Sequence, residues 1–236
     1  MPLNAWHERI STLEEERQFK KLIALHSLTH TWVELVSKPN EDSALRVERM
    51  PRLTLKQNLW LLEKARLDEV LTELDSLVNE QKVSEFLKEL SETIWLIQIS
   101  TLENAFSESK DPSLLMNLLK NAAWNHGKKA ADAEWAKLDA RDLGQAYHAF
   151  LESHMESVEG FLLGRAAETE LNFYWVKSPL QNPNLSDLPQ IETLCALHQE
   201  WIHGFFYGLS RKIQVKSQIT AIDDRNWIHF TLLLTY

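Results

Sequence analysis

The sequence predicts an α+β fold, in which N-terminal amphipathic helices precede a mixed domain with a four-stranded antiparallel sheet packed on helices. The first two thirds of the chain carry apolar side chains at helical spacing. Six glycines and seven prolines in 236 residues are few, which favours long uninterrupted helices. After residue 156 the pattern alternates, and aromatic and β-branched residues of the kind that strands prefer become frequent.

Five helices are predicted in the first part of the chain, over about 11–38, 54–77, 84–106, 112–138 and 141–154. The first begins at a capping box, Ser11–Glu14, in which the serine hydroxyl and the glutamate satisfy backbone N–H groups reciprocally. The fourth begins at Asp111-Pro112, because aspartate is a good N-cap and proline has the φ of a first helical residue.

Two hairpins and a further helix are predicted in the last part, with strands over about 157–166, 168–178, 213–222 and 227–236. Residues 179–189 contain two Asn-containing proline turns and predict a loop. A long helix over about 188–212 follows. The last two strands are separated by Asp223-Asp224-Arg225-Asn226, a sequence rich in residues that are frequent in turns. Short turns pair consecutive strands antiparallel.

The domain prediction is residues 1–110 as a helical N-terminal region and residues 111–236 as an α+β ligand-binding or assembly domain. The connection near residues 107–111 is too short to be a linker, so one continuous domain is the alternative.

Composition excludes several functional classes. The formal charge is −9 and no Lys/Arg run exceeds a pair, so the chain has no surface that would neutralise a row of phosphates, and nucleic acid is not expected as a partner. One cysteine excludes an internal disulfide and is typical of a reducing compartment. We expect a cytoplasmic location, because the sequence has neither a signal-peptide pattern nor a transmembrane stretch of about 18 apolar residues.

A small set of residues in the second half follows a family pattern: Trp124, Gly127, Phe173 to Pro179, Cys195, Gly204 and Gly208. With the order of elements from about Pro112, this pattern resembles the fold shared by transport-protein-particle subunits, four-vinyl-reductase domains and aminothiazoline-carboxylate hydrolase-like proteins. The resemblance implies a domain that in different relatives binds small hydrophobic ligands, joins dimers or regulates a partner. The last hairpin lacks the cysteine that the family often has, so a zinc or redox role does not carry over.

The candidate ligand-binding residues are Trp175, Cys195, Trp201, Gly204 and Gly208. The two tryptophans could line a cavity between the long helix and the sheet, with their N–H groups orienting a ligand. Gly204-x-x-x-Gly208 would let another backbone approach one helix face. The resemblance suggests that Cys195 borders an apolar channel for an acyl chain. The competing interpretation is that these side chains fill the core.

A catalytic alternative assigns Cys195 as a nucleophile with His198 or His203 as its base, as in a hydrolase resembling the aminothiazoline-carboxylate enzymes. Against it, cysteine often acts as a small buried hydrophobe. His26 and His30 lie one helical turn apart, a spacing that can bind a metal, but the glutamate of a metalloprotease helix is missing. We predict no metal site and no cofactor.

The leading functional hypothesis is therefore a non-enzymatic binding or assembly module. It would mediate protein–protein association, including formation of a homodimer, and could hold an apolar small molecule or acyl chain. The alternative is the cysteine-dependent hydrolase.

Overall fold

The structure is a computed structural model and describes residues 25–36, 80–135, 142–153, 160–176, 190–222 and 225–235. The chain divides into two compact units, Met1–Asp111 and Pro112–Tyr236, which are called the N-terminal unit and the C-terminal unit below. The helix predicted over 54–77 and the loop predicted over 179–189 lie outside the described residues. The assignment of the two units as separate domains stays a prediction.

In the N-terminal unit, helix α1 covers the described residues 25–36 and helix α2 spans Glu80–Glu108. The buried side chains of α1 recur at helical spacing and are Leu25, Leu28, Thr29, Trp32, Val33 and Val36. The amide of Gln98 on α2 donates to the Thr29 hydroxyl over 2.6 Å, and that hydroxyl donates to the Leu25 carbonyl. Buried polar groups normally have hydrogen-bond partners inside the protein, and these two bonds provide them here.

The C-terminal unit contains the remaining described elements: α3 (Pro112–Trp135), α4 (Leu143–Ser153), β1 (Phe161–Ala166), β2 (Glu170–Trp175), α5 (Ile191–Leu209), β3 (Ile213–Ile222) and β4 (Arg225–Leu234). The chain thus has helices, a hairpin, a helix and a second hairpin in that order, which confirms the predicted α+β fold with two hairpins. The predicted β3 has the observed bounds, and α3 begins at the predicted Pro112.

The four strands form one antiparallel sheet in the order β1-β2-β4-β3, so β1 and β3 are its edges. The two hairpins join through β2 and β4, with Phe173 opposite Phe230. Alternation places one face against the helices and the other toward solvent. On the outward face, Asn172 accepts a hydrogen bond from Thr231 over 2.8 Å and contacts His229, whose ring stacks on Tyr174.

The core of the C-terminal unit is aromatic and lies between the helices and the inner sheet face. Phe150 of α4 packs against Phe161, Phe173 and Phe206 with ring centroids 5.0 to 5.3 Å apart. Phe173 stacks on Phe230 of the neighbouring strand at 4.9 Å. Aromatic side chains bury large areas, so this cluster is the principal hydrophobic stabilisation joining α4, α5 and the sheet.

Candidate functional site

A cleft of about 790 Å³ opens at the end of the sheet where β2 begins and β4 ends. Its lining comes from the start of α4, the β1–β2 turn with the strand residues Ala166 and Leu171 beside it, the residue before β3 and the end of β4. The lining residues are Asp142, Leu143, Gly144, Ala166, Ala167, Glu168, Leu171, Lys212, Leu234 and Thr235. The volume falls within the range of small-molecule sites, roughly 300–1,000 Å³.

Backbone hydrogen bonds fix the walls of this cleft. In the β1–β2 turn, Ala167 N donates to the Glu170 carbonyl over 2.7 Å, and Leu234 N donates to the Thr169 carbonyl over 3.0 Å. Thr235 donates to the Lys212 carbonyl from both its backbone N–H and its hydroxyl. The turn, the start of β3 and the end of β4 are therefore tied together by these hydrogen bonds.

The floor of the cleft is apolar and its charged groups stand at the rim. Leu143 and Leu171 are buried, whereas Asp142, Glu168 and Lys212 are exposed. The Asp142 carboxylate caps α4, since it accepts from the N–H groups of Gly144 and Gln145 at 2.8 and 3.2 Å. Among the described residues, neither Glu168 nor Lys212 takes part in a salt bridge, so both charges are available to a bound molecule.

The predicted ligand residues lie elsewhere: Trp175 is on β2, and the other four are on α5 itself. Trp175, Cys195 and Trp201 are each at most 1 % exposed. None of the five predicted ligand residues lines the cleft. Their assignment to a ligand site stays a prediction. Trp175 lies between the sheet and α5, with its ring 6.2 Å from that of His198, whereas the Trp201 indole is bonded to α3.

The two predicted glycines of α5 pack against α3. A Cβ at Gly204 would overlap the carbonyl oxygen of Trp124, and one at Gly208 would lie 2.7 Å from the Lys128 carbonyl oxygen. Conversely, a Cβ at Gly127 of α3 would overlap the carbonyl oxygen of Trp201. The close backbone approach expected from Gly204-x-x-x-Gly208 is thus present, and the backbone that approaches is α3.

Two histidines, one on each of these helices, influence each other electrostatically. His126 of α3 accepts a hydrogen bond at Nδ1 from the Trp201 indole over 2.9 Å. Burial lowers the pKa of His126 to about 4, with a smaller contribution from Lys129. Burial, and then the charge of His126, lower the pKa of His198 to about 3. His126 and His198, called the histidine pair below, are therefore neutral at pH 7.

The catalytic alternative meets a geometric difficulty at each of its residues. Cys195 is 1 % exposed and His198 is fully buried, whereas a reactive thiolate requires access to its substrate. His203 lies eight residues from Cys195 on the same helix, which is about 12 Å along the axis. That separation is too long for His203 to take a proton from the thiol directly.

His203 instead joins α5 to β3. Its Nε2 lies 3.2 Å from the Ser217 hydroxyl, which also donates to the Gln199 side-chain carbonyl over 3.0 Å. Its Nδ1 lies 4.0 Å from Glu200, which is 3.8 Å from Lys120 of α3. The pKa of His203 is lowered, with burial as the largest cause, Glu200 opposing it and Lys120 adding to it. These side chains hold the helix over the strand.

The two histidines of α1 are separated by exposure. His26 is half-buried and His30 is exposed. Within the described residues, no group of three or more His, Cys, Asp or Glu side chains is placed to hold a metal ion. The same part of the chain contains no helix with the length and hydropathy needed to cross a bilayer.

Sequence reasoning missed the cleft and His126. Glu168 and Lys212 are charged residues beside predicted strand ends, which is a common arrangement and does not by itself indicate a site. They indicate one only when the sheet order, which brings the ends of the two hairpins together, is known. His126 stands between Trp124 and Gly127, the two residues of α3 that the family pattern includes. A histidine beside a close-packing glycine was the available signal that its ring would be partly buried.

Comparisons with known proteins give no relative for this chain. No family model, no curated protein and no solved structure matched it. The resemblance to the transport-particle and vinyl-reductase fold stays a prediction, and the function has to be argued from the geometry of the described residues.

Proposed function

We propose that the chain is a non-enzymatic binding and assembly module whose C-terminal unit takes up a small amphipathic molecule in the cleft at the end of the sheet. The observation that carries the proposal is the cleft itself, which has an apolar floor, hydrogen-bonded walls and charged rim groups. This site differs from the cavity predicted between the long helix and the sheet, where the side chains pack against one another.

The floor suits an apolar body. Leu143, Leu171 and Leu234 come from a helix and two strands and converge on the same space. Each square ångström of apolar surface removed from water there is worth about 25 cal/mol. A ring system or short acyl chain would gain most of its binding free energy from this contact.

The rim suits one charged head. Lys212 offers an ammonium group to an anion, and Glu168 offers a carboxylate to a cation, while Asp142 is occupied by its capping bonds. An exposed ion pair is worth at most about 1 kcal/mol. The head therefore selects among ligands and orients them, and the apolar body supplies the larger share of affinity.

The test uses the dye anilinonaphthalene sulfonate, which combines fused rings with an anionic head. We expect saturable binding with enhanced fluorescence by the full chain. Ala167→Trp, at an exposed position in the lining, should abolish saturable binding by filling the cleft. Ser113→Trp places the same side chain at an exposed site of α3 outside the lining and is the matched control. Equal binding by both variants would show that the cleft is not the site.

Charge reversal identifies the head. Lys212→Glu should weaken binding of the sulfonate dye by about two- to fivefold, because one exposed ion pair is lost. Glu168→Lys should strengthen it by a similar factor. With a cationic dye the order should reverse, because Glu168 would then supply the favourable charge.

The assembly part of the proposal draws on the sheet edges. An edge strand presents unpaired backbone N–H and C=O groups that can pair with another chain. Sedimentation velocity of the full chain at several concentrations tests this part independently of the dye, and a monomer at every concentration would refute it.

A further inference from the structure

Strand β3 is a long and regular sheet edge. It spans Ile213–Ile222 and pairs with β4 in one uninterrupted register from Ile213 opposite Leu234 to Ile222 opposite Arg225. Among the described residues, no strand pairs with β3 on its other side. Its exposed positions include Gln218, Ile219 and Ala221.

The usual protections of an edge are sparse on β3. Monomeric proteins blunt their edges with proline, bulges, short strands or several charges. Ile213–Ile222 contains neither proline nor glycine, and Lys216 is its single charged residue. The other edge, β1, is six residues long, contains Gly164 and shifts register between Leu163 and Ala166. The two edges differ, and β3 is the one suited to further pairing.

Ile219 marks where the helix layer stops. It lies opposite Ile228, which is fully buried, so both side chains point to the helix side of the sheet. Ile219 is nevertheless 58 % exposed. Two residues earlier on the same face, Ser217 is covered by α5 through Gln199 and His203. A large apolar side chain is thus left uncovered at the edge, just beyond the helix.

We propose that a second copy of the chain pairs antiparallel with β3 around a twofold axis at Ile219, which joins the two sheets into one eight-stranded sheet. In this register Ile219 lies opposite its own copy, Ser217 opposite Ala221 and Gln218 opposite Thr220. Lys216 falls opposite Ile222, so the two lysines do not face each other. The proposal rests on the assembly part of the proposed function.

The helices disfavour registers that are centred nearer the start of β3. A twofold axis perpendicular to the sheet puts both helix layers on one side, and a helix with its side chains is about 10 Å wide. If the axis passed through Ser217 or Gln218, the Ser217 residues of the two copies, each covered by its own α5, would lie at most about 7 Å apart along the strands. That distance is less than the width of a helix. With the axis at Ile219 the offset is about 13 Å. An axis at Lys216 would also oppose like charges, which is destabilising.

The first test compares two charge substitutions at the two edges by sedimentation velocity on the full chain. We expect a dimer for the native sequence and a monomer for Ile219→Lys, because two lysines would meet on the axis. Leu162→Lys is the matched control, since Leu162 is 51 % exposed on β1, and it should leave the dimer intact. Circular dichroism checks that both variants keep the native fold, as expected for exposed positions.

The second test reads the register by oxidative cross-linking. Directly opposite residues have Cβ atoms about 5 Å apart, so Ile219→Cys should form a disulfide between copies. Gln218→Cys should not, because its thiol lies opposite Thr220. The native Cys195 is buried and does not compete.

The outcomes separate the two proposals. A native monomer would overturn both the assembly function and this interface. The dye-binding cleft would be unaffected, because it is tested independently. A native dimer that survives Ile219→Lys would overturn this interface alone. A dimer that cross-links through Gln218→Cys in place of Ile219→Cys would overturn the register.

Discussion

The close backbone approach between α3 and α5 can be tested by adding one methyl group at Gly204. On the alanine side chain, Cβ would overlap the carbonyl oxygen of Trp124, and further atoms of that same backbone lie within 2.9 Å. Both sides of the contact are helical backbone, which cannot give way by rotating a side chain. Gly204→Ala must therefore push α5 away from α3.

The expected cost is worked out from two opposing terms. In an exposed helix, replacing glycine by alanine stabilises by about 1 kcal/mol. Overpacking a core typically costs about 1–3 kcal/mol, and more where the neighbours are rigid. Because separation of the helices also weakens the packing of Trp201 and Phe205, both fully buried, we expect a net destabilisation of about 2–4 kcal/mol.

The assay is urea unfolding followed by hydrogen exchange of α5 peptides, because this readout reports the C-terminal unit even when the N-terminal unit unfolds separately. Gly208→Ala should cost less than Gly204→Ala, since its nearest contact would be 2.7 Å to the Lys128 carbonyl oxygen. Gly144→Ala is the control, because its nearest contact is 3.1 Å to the side-chain oxygen of Asp142. Gly204→Ala as stable as the native chain would refute the close packing.

Three further predictions concern buried polar groups. In the unfolded state the histidine pair binds protons below pH 6.5, whereas in the folded state it does so only near pH 3 to 4. The free energy of unfolding should therefore fall by about 2 kcal/mol per histidine between pH 7 and pH 5. A urea midpoint that does not change over this pH range would contradict the prediction. Cys195, which is 1 % exposed, should react with iodoacetamide only at the rate of unfolding; rapid alkylation of the native protein would instead revive the hydrolase alternative. Thr29→Val removes the hydroxyl that accepts from Gln98 and should destabilise the N-terminal unit by about 1–3 kcal/mol. The control Thr31→Val, at a partly exposed position of α1, should change stability little. Equal effects of the two variants on amide hydrogen exchange in α1 would argue against the buried bond.

The fold could be predicted because each element has a local cause. The Asp111-Pro112 start of α3 and the β3 strand follow from capping, proline geometry and alternation. Strand ends were predicted less well: β2 ends at Trp175 although the alternation extends to about residue 178. Strand length depends on the partner strand, and β2 pairs with β4 as far as Trp175 opposite Ile228.

The site could not be predicted because it depends on sheet order. The sequence indicates two hairpins but does not determine which strands become neighbours across them. Only the order β1-β2-β4-β3 brings the β1–β2 turn beside Lys212 and the end of β4. Gly204 was noticed as a place for close approach, yet its partner, the α3 backbone at Trp124, is eighty residues away in sequence.

The cleft and the proposed edge contact lie at different places along the chain, before and within β3, and can operate independently. Lys212 borders the cleft just before β3 begins, whereas the proposed pairing starts at Lys216, four residues or about 13 Å farther along. Between them, the Lys212 carbonyl is held by Thr235 and Ile213 pairs with Leu234. A ligand in the cleft would therefore meet a strand start already fixed by β4, and dimer formation would leave the Lys212 ammonium accessible. Dye affinity should accordingly be the same for the native chain and for Ile219→Lys, and a change in affinity would show that the two sites are coupled through β3.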